Sequence, residues 1–378
     1  MKICMLPALN GDCLLVEYVP SHYILIDGGY VDTYQNHLLP MLKGISERGG
    51  VIDAVVVTHI DSDHISGIIK LMEEMPVHIG EIWYNGYRHI QSAAKVTDEK
   101  ETFVHRNICK ESQSNEAKPV SAKQGCTLSA LIAKNEIPWN LEANEGRMEA
   151  LFSFNLGEAS IHILSPGKSD IENLEHYWKK RLIKDGLLSK AHSEEYWDDA
   201  FEFCLCQDMP GFHFHEKKVS KSYDLQKVKE EPYEPDTSAT NGSSISFVIE
   251  IGGKRVLFMG DAHAETVSES LKSLYGKDNA PYHFDAVKLS HHGSYNNNSP
   301  ALFGLISSGR WLVSTNGDKY NHPDMATLAH VLTQGESNKL YFNYNLPICD
   351  ELNREEYHQD YDFEVITPNG ETGIELTI

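Results

Sequence analysis

A chain of 378 residues with 41% hydrophobic and 10% aromatic side chains has material for one large domain or two ordinary ones. Its formal net charge of −22 disfavours holding extended nucleic acid by field alone, yet leaves room for a small phosphorylated substrate beside a bound cation. No apolar run approaches the ~20 residues of a membrane helix, the opening MKICMLPALNGDC lacks a signal peptide's apolar segment, and seven scattered cysteines suit a reducing compartment, so a soluble cytoplasmic protein is expected.

The first predicted elements are short strands. CLLVEYV (13–19) follows the turn signal Asn10-Gly11-Asp12, HYILIDGG (22–29) comes next, and DAVVVTH (53–59) is a continuous apolar run suited to a fully buried strand. DHISGIIKLMEEM (63–75) then sets Ile65, Ile68, Ile69 and Met72 at i, i+3, i+4 and i+7, the stripe of an amphipathic helix. IGEIWYNGY (79–87) reads as a strand whose end, from Trp83, either stops there or lines a cleft. Residues 91–145 are polar and mixed around one helix at LSALIAKN (128–135), and ASIHILSP (159–166) restores a strand. From 168 to 240 the periodicity gives way to charge and aromatics, which reads as an insertion: a lid, or a segment that seats a partner protein. ISFVIEIGGKRVLFMGDA (245–262) is a hairpin turning at Gly252-Gly253. FDAVKLSHHGS (284–294), RWLVSTNG (310–317) and KLYFNYN (339–345) are further strands, and DMATLAHVLTQG (324–335) is a helix ending in glycine. Strands outnumber helices in both halves, so sheets covered by helices are expected, in one α/β (α+β) domain over 1–378.

The chemistry gathers in THIDSDHISG (58–67), where a strand meets a helix. Four residues of metal-ligand type, His59, Asp61, Asp63 and His64, fall within six positions. Alternate residues of an extended turn face one way, so His59 and Asp61 can face one cation while Asp63 and His64, at the helix start, face a second. A helix cap accounts for one carboxylate there but not for four ligand-type residues. A pair of cations also needs a carboxylate between them, which Asp261 at a strand end can supply.

THIDSDHISG resembles the His-x-His-x-Asp-His signature of the metallo-β-lactamase fold superfamily, and other segments follow in that superfamily's order. LIDGG resembles the early strand whose Asp27 supports the metal loop, VLFMGDA the strand ending in the bridging Asp261, and VKLSHHGS the last ligand strand with His291 and His292. NGD, HHGS and YNHP together look most like the metallo-hydrolase domain of the DNA-uptake protein ComEC and its soluble relatives. The likeness spans the chain outside 91–145 and 168–240. It implies a four-layer αββα sandwich with a polar insertion, holding one or two divalent ions, Zn²⁺ or Mn²⁺. His59, Asp61, Asp63, His64, Asp261 and His292 are the implied ligands, with His291 orienting its neighbour or contacting substrate and Asp63 also serving catalysis. Asp27 is expected to fix a ligating histidine from behind.

Two positions depart from the pattern. Asp61 stands where most of the superfamily has His, and this harder ligand favours Mn²⁺ or Mg²⁺. No histidine precedes the strand leading to Gly260-Asp261, where TSATNGSSISF places Asn241 closest. His322 in NGDKYNHPD is a candidate to compensate, as ligand or as general acid for the leaving group. Plainer readings go to His213 and His215 (solvated), His162 (structural), and Cys204 and Cys206 (packing). Lys217, Lys218, Lys221, Lys227 and Lys229 read as a solvated face that could touch phosphates.

The expected function is a metal-dependent phosphodiesterase using a cation-activated water on a nucleotide or short nucleic-acid substrate, with no membrane partner. Hydrolysis of an amide, ester or thioester, and a metal-binding regulatory module, are the alternatives.

Overall fold

The computed structural model describes residues 1–90, 127–141, 143, 146–184, 198, 201–202, 223–335, 337–370 and 372–378. His213, His215, Cys204, Cys206, Lys217, Lys218 and Lys221 lie outside the described residues.

Two large sheets face each other. The first has six strands: β1 (Lys2–Met5), β2 (Leu14–Val19), β3 (His22–Ile26), β4 (Val51–Val56), β5 (Ile79–Trp83) and, from the far end of the chain, β16 (Ile374–Thr377). Their order is β16-β1-β2-β3-β4-β5, antiparallel as far as β3 and parallel from β3 to β5. The second has eight strands: β6 (Phe152–Leu156), β7 (Ala159–Ser165), β8 (Ser246–Ile251), β9 (Lys254–Phe258), β11 (Ala286–Lys288), β13 (Arg310–Val313), β14 (Asn338–Phe342) and β15 (Phe363–Ile366). Their order is β15-β14-β13-β11-β9-β8-β7-β6, parallel from β9 through β15. A short parallel pair, β10 (Tyr282–Phe284) with β12 (Ile306–Ser308), lies apart from both sheets.

Alternation within the strands decides what each side chain meets. Ile3, Met5, Leu14, Val16, Ile24, Ile26, Ala54 and Val56 pack against Ile161, Ile163, Phe247, Ile249, Val256 and Phe258 of the facing sheet. The intervening Leu15, Leu25, Ile52 and Val55 turn outward and pack with Leu42, Ile65, Ile68, Leu71 and Met72, buried residues of the helices Leu39–Glu47 and Ser62–Glu74. On the other outer face Val248, Leu257, Val287 and Val313 meet the helices Ala264–Tyr275 and Met325–Leu332. Both faces of the central strands are therefore apolar, which is why these strands read as continuous runs rather than alternating ones. Each such side chain contributes roughly 1.5–3 kcal/mol when fully buried, and the result is the αββα sandwich.

One reading changes here. The stretch expected to lose periodicity at 168 begins with the 17-residue helix Lys168–Lys184. Ile171, Leu174 and Trp178 are buried in the first outer core with Phe201, a sparse stripe that the surrounding charge masked. Trp83 is fully buried and sits edge-on to Phe154 and Phe247, Tyr84 stacks on Trp139, and Asn85 bonds to both backbone polar groups of Met148. That segment is core. His162 bonds to Ser153 Oγ across a strand pair, as a structural histidine should. No helix among the described residues is long and apolar enough to cross a membrane.

Candidate metal centre

The site forms where parallel strands of both sheets end. Asp27 directly follows β3, Thr58 and His59 follow β4, Asp261 follows β9, and His291 and His292 follow β11. Backbone bonds stitch these ends together: Ile245 N donates to Thr58 O at 2.8 Å, across the two sheets, and His291 N donates to Gly260 O at 2.9 Å.

Asp61 is the N-cap residue of the helix Ser62–Glu74, yet its side chain makes no capping hydrogen bond. It turns instead toward His59, with Oδ2 3.7 Å from Nε2. Gly260 adopts φ +51°, and a Cβ there would lie 2.4 Å from Ser244 Oγ, the acceptor for the Asp261 N–H at 3.0 Å. The glycine thus lets a serine hold the aspartate's backbone. His291 and His292 both have left-handed backbones, φ 44° and 57°, which costs roughly 1–3 kcal/mol per residue. The consequence is that both rings face Asp261.

Four imidazoles surround that one carboxylate. Asp261 Oδ2 lies 3.8 Å from His59 Nε2, 3.6 Å from His64 Nε2, 3.8 Å from His291 Nε2 and 3.7 Å from His292 Nε2. The other nitrogen of each ring is tied to an acceptor. His64 Nδ1 donates to Asp27 Oδ2 at 2.8 Å, His291 Nδ1 to Asn297 Oδ1 at 2.9 Å, and His292 Nδ1 to Ser314 O at 2.7 Å. His59 Nδ1 is 3.1 Å from Thr58 Oγ1, whose own hydrogen goes to Asp27 Oδ2 at 2.7 Å, so the hydroxyl accepts from His59. With the protons on Nδ1, all four Nε2 lone pairs point at an oxygen anion. Acceptors facing an acceptor repel unless a positive charge sits among them. Nε2 of His59 and Oδ1 of Asp261 are buried without a hydrogen-bond partner among the described residues. Spacings of 3.6–3.8 Å are too long for hydrogen bonds but suit atoms sharing a cation at about 2.0–2.1 Å each. The donor set fits a divalent ion.

Electrostatics point the same way. Burial opposes charge on His64, but Asp261 and Asp27 overcome it and raise its basicity well above an ordinary histidine's. Burial likewise opposes ionisation of Asp261, and the surrounding histidines, His292 first, hold its carboxyl far below the usual range. A proton performs part of the task that a cation performs better.

Of the residues expected from sequence, His59, His64, Asp261, His291 and His292 converge, with Asp61 beside His59. His291 and His292 both aim Nε2 at Asp261, and of the two His292 joins the ligand clusters found among the described residues. Asp63 forms a second cluster with His64 and His292, ligand atoms lying within 4.8 Å of one another, and accepts from Asn10 Nδ2. Asn241 donates to Asp236 at 2.7 Å and lies 3.5 Å from His291 Nδ1, the ring nitrogen that does not face Asp261. His322 stands one layer out, its ring 5.3 Å from that of His291, and belongs to none of the ligand clusters found among the described residues.

Several contributors were not foreseen. Asp12 is buried and ion-paired with the equally buried Lys288, and its Oδ1 is 3.5 Å from His292 Nδ1. Burial works against that carboxylate's charge, but Lys288 and then His292 hold its carboxyl below the usual range. A lysine inside the apolar run AVKL and the NGD turn were the available signals; their pairing across 276 positions was not. Asp236, inside the 168–240 stretch, accepts from both Asn241 and Asn297 Nδ2 (2.9 Å). It thereby turns the Asn297 oxygen toward His291.

Parts of the chain are similar to known proteins. Residues 6–118 match the model of the metallo-beta-lactamase superfamily. The hydroxyacylglutathione hydrolase of Aliivibrio salmonicida (strain LFI1238) is 29% identical over 77 residues, which is 20% of this chain and only 28% of that enzyme. Its counterpart in Aliivibrio fischeri (strain MJ11) is 27% identical over the same lengths. Among solved structures, zinc-bound PqqB from Methylobacterium extorquens aligns over the whole of both chains at 11% identity and a TM-score of 0.40. The metallo-beta-lactamase fold protein YhfI from Bacillus subtilis aligns over 100% of this chain and 99% of that one, at 10% identity and 0.39. The histidine–aspartate loop after β4 lies within the match over residues 6–118, and it is to the metallo-beta-lactamase superfamily that this part of the chain is similar.

Proposed function

We propose that this chain is a metal-dependent hydrolase of phosphoester bonds, acting on a nucleotide or a short nucleic-acid substrate. The observation that carries the proposal is the ring of four Nε2 lone pairs around Asp261 Oδ2, a donor set with no purpose in a plain binding surface. His59, Asp61 and His291 would hold one divalent ion and Asp63, His64 and His292 a second, with Asp261 beside both, each imidazole giving its single Nε2 lone pair to one ion. Bound there, divalent ions supply Lewis acidity toward a phosphoryl oxygen and lower the pKa of a water. Asp27, Thr58, Asn297 and the Ser314 carbonyl keep the imidazole protons on Nδ1. His322, beside His291, donates a proton to the departing oxygen. The carboxylate at position 61 and the likeness of HHGS and YNHP to the ComEC-type hydrolase domain support the phosphoester reading. They support Mn²⁺ at least as well as Zn²⁺.

The 77-residue match to hydroxyacylglutathione hydrolases favours a second reading, cleavage of a thioester. Metal-stripped protein reloaded with Mn²⁺ or Zn²⁺ is assayed on bis(p-nitrophenyl) phosphate and on a hydroxyacylglutathione thioester. Turnover of the phosphodiester, lost in Asp63→Ala and in Asp261→Ala, is expected. Undiminished activity in both variants, or turnover confined to the thioester, would overturn the proposal.

A further inference from the structure

We infer that Lys319 is the residue by which this centre recognises an anion, its ammonium receiving a phosphate oxygen of a substrate whose planar group lies against Tyr320. The inference rests on the phosphoester reading and names the chemistry that selects the substrate.

The loop between β13 and the helix Met325–Leu332 carries Lys319, Tyr320 and His322 within four residues, and it is pinned at both ends. Ser314 O holds His292, Asn316 N donates to Leu9 O at 2.8 Å, and Asp324 Oδ2 accepts from Tyr295 N at 2.8 Å. Lys319 Nζ lies 4.0 Å from Asp63 Oδ2, beyond hydrogen-bond length, and 5.0 Å from the centre of the Tyr320 ring. Its side chain keeps 14% of its surface exposed, whereas Lys288, the other lysine at the centre, is sealed against Asp12.

A permanent cation beside a carboxylate that serves a metal opposes metal binding by simple repulsion. The arrangement is favourable when an anion bridges the ammonium and the metal, and a phosphodiester oxygen does so. A neutral ester or thioester does not. Tyr320 is 36% exposed, with its ring 6.2 Å from that of His291 and 5.8 Å from that of His322. It offers a flat apolar face at the mouth, where a nucleobase or aryl group attached to the phosphate would stack.

The test uses the full chain loaded with Mn²⁺, in wild-type, Lys319→Met and Lys319→Arg forms. Inorganic phosphate is the binding probe, read by calorimetry; bis(p-nitrophenyl) phosphate and neutral p-nitrophenyl acetate are the kinetic probes. A hydrogen bond to a charged group is worth about 1.5–3 kcal/mol, so Lys319→Met should weaken phosphate binding about 10–100-fold. It should raise KM for the phosphodiester by a similar factor, leaving Mn²⁺ stoichiometry, kcat and the neutral ester untouched, and Lys319→Arg should restore most of the loss. Unchanged phosphate affinity in Lys319→Met, or an equal loss on the neutral ester, would overturn the inference. Should the wild type bind phosphate through Lys319 yet leave the phosphodiester intact, the proposed activity fails while the anion site stands.

Discussion

Replacing Asp27 by Asn separates the proton arrangement of the centre from its stability. Asp27 is fully buried and accepts three hydrogen bonds: from Thr58 N at 2.8 Å, Thr58 Oγ1 at 2.7 Å and His64 Nδ1 at 2.8 Å. The amide keeps one oxygen for Thr58 N but presents N–H where the other carboxylate oxygen stood. His64 Nδ1 must then accept, which moves its proton to Nε2. Thr58 Oγ1 must also accept, so its hydrogen turns to His59 Nδ1, 3.1 Å away, and the proton of that ring moves to Nε2 as well. Two of the four lone pairs aimed at Asp261 disappear without any atom moving far. Loss of such orienting partners weakens metal binding about 10–100-fold, or about 1.4–2.7 kcal/mol. Since each group keeps a partner, the metal-free protein should unfold within about 1 kcal/mol of wild type, whereas Asp27→Ala orphans three buried donors at about 1–3 kcal/mol each. Chelator competition gives the affinity and urea unfolding of stripped protein gives the stability. An Asp27→Asn protein that binds Mn²⁺ or Zn²⁺ as tightly as wild type would refute the reasoning.

Lys288→Met should destabilise the protein by about 3–5 kcal/mol by leaving Asp12 charged and unpaired in the interior. The double variant Asp12→Asn/Lys288→Met should recover most of that loss in urea unfolding, and a double variant no better than the single would contradict the pairing. Gly67→Ala should destabilise by about 1–3 kcal/mol through overpacking, although alanine is the better helix former by about 1 kcal/mol. A Cβ at this helical position would lie 2.0 Å from Gly28 O, and a neutral or stabilising result in urea would disprove that close docking of helix on strand end. Burial, then Arg88 and Arg147, lowers the His89 pKa from 6.5 to about 3, so the folded state binds fewer protons than the unfolded one. Its contribution is constant above about pH 6.5 and falls as pH drops from there toward 3, by about 2 kcal/mol between pH 7 and 5. His89→Phe, which keeps a ring against Trp139, should flatten that part of the pH–stability curve; an unchanged slope would reject the assignment.

Period and motif carried much of the architecture. Runs such as AVVV and FVIEI betrayed strands buried on both faces, and Ile65, Ile68 and Met72 marked the inner stripe of the helix that follows the metal loop, with Ile69 at its edge. The ligand-type residues His59, Asp61, Asp63 and His64 were legible because they lie within six positions, and Asp261 because a glycine-aspartate turn ended a strand. Partners that meet only in three dimensions were not legible. Asp12 and Lys288 lie 276 positions apart, and Asp236 sits in a stretch whose charge hid both its role and the helix at its start. That His291 and His292 both turn toward Asp261 was not legible for a local reason: two successive left-handed residues turn adjacent side chains to one side, which ordinary backbone periodicity forbids.

The central claim is that divalent cations lie among Asp261 and the four imidazoles. Crystals of chelator-stripped protein soaked in Mn²⁺ and measured at the manganese absorption edge test it directly. An anomalous peak within bonding distance of Asp261 Oδ2 and of Nε2 from at least two of His59, His64, His291 and His292 is the predicted result. Difference maps without a peak there, or manganese bound only elsewhere on the acidic surface, would contradict it.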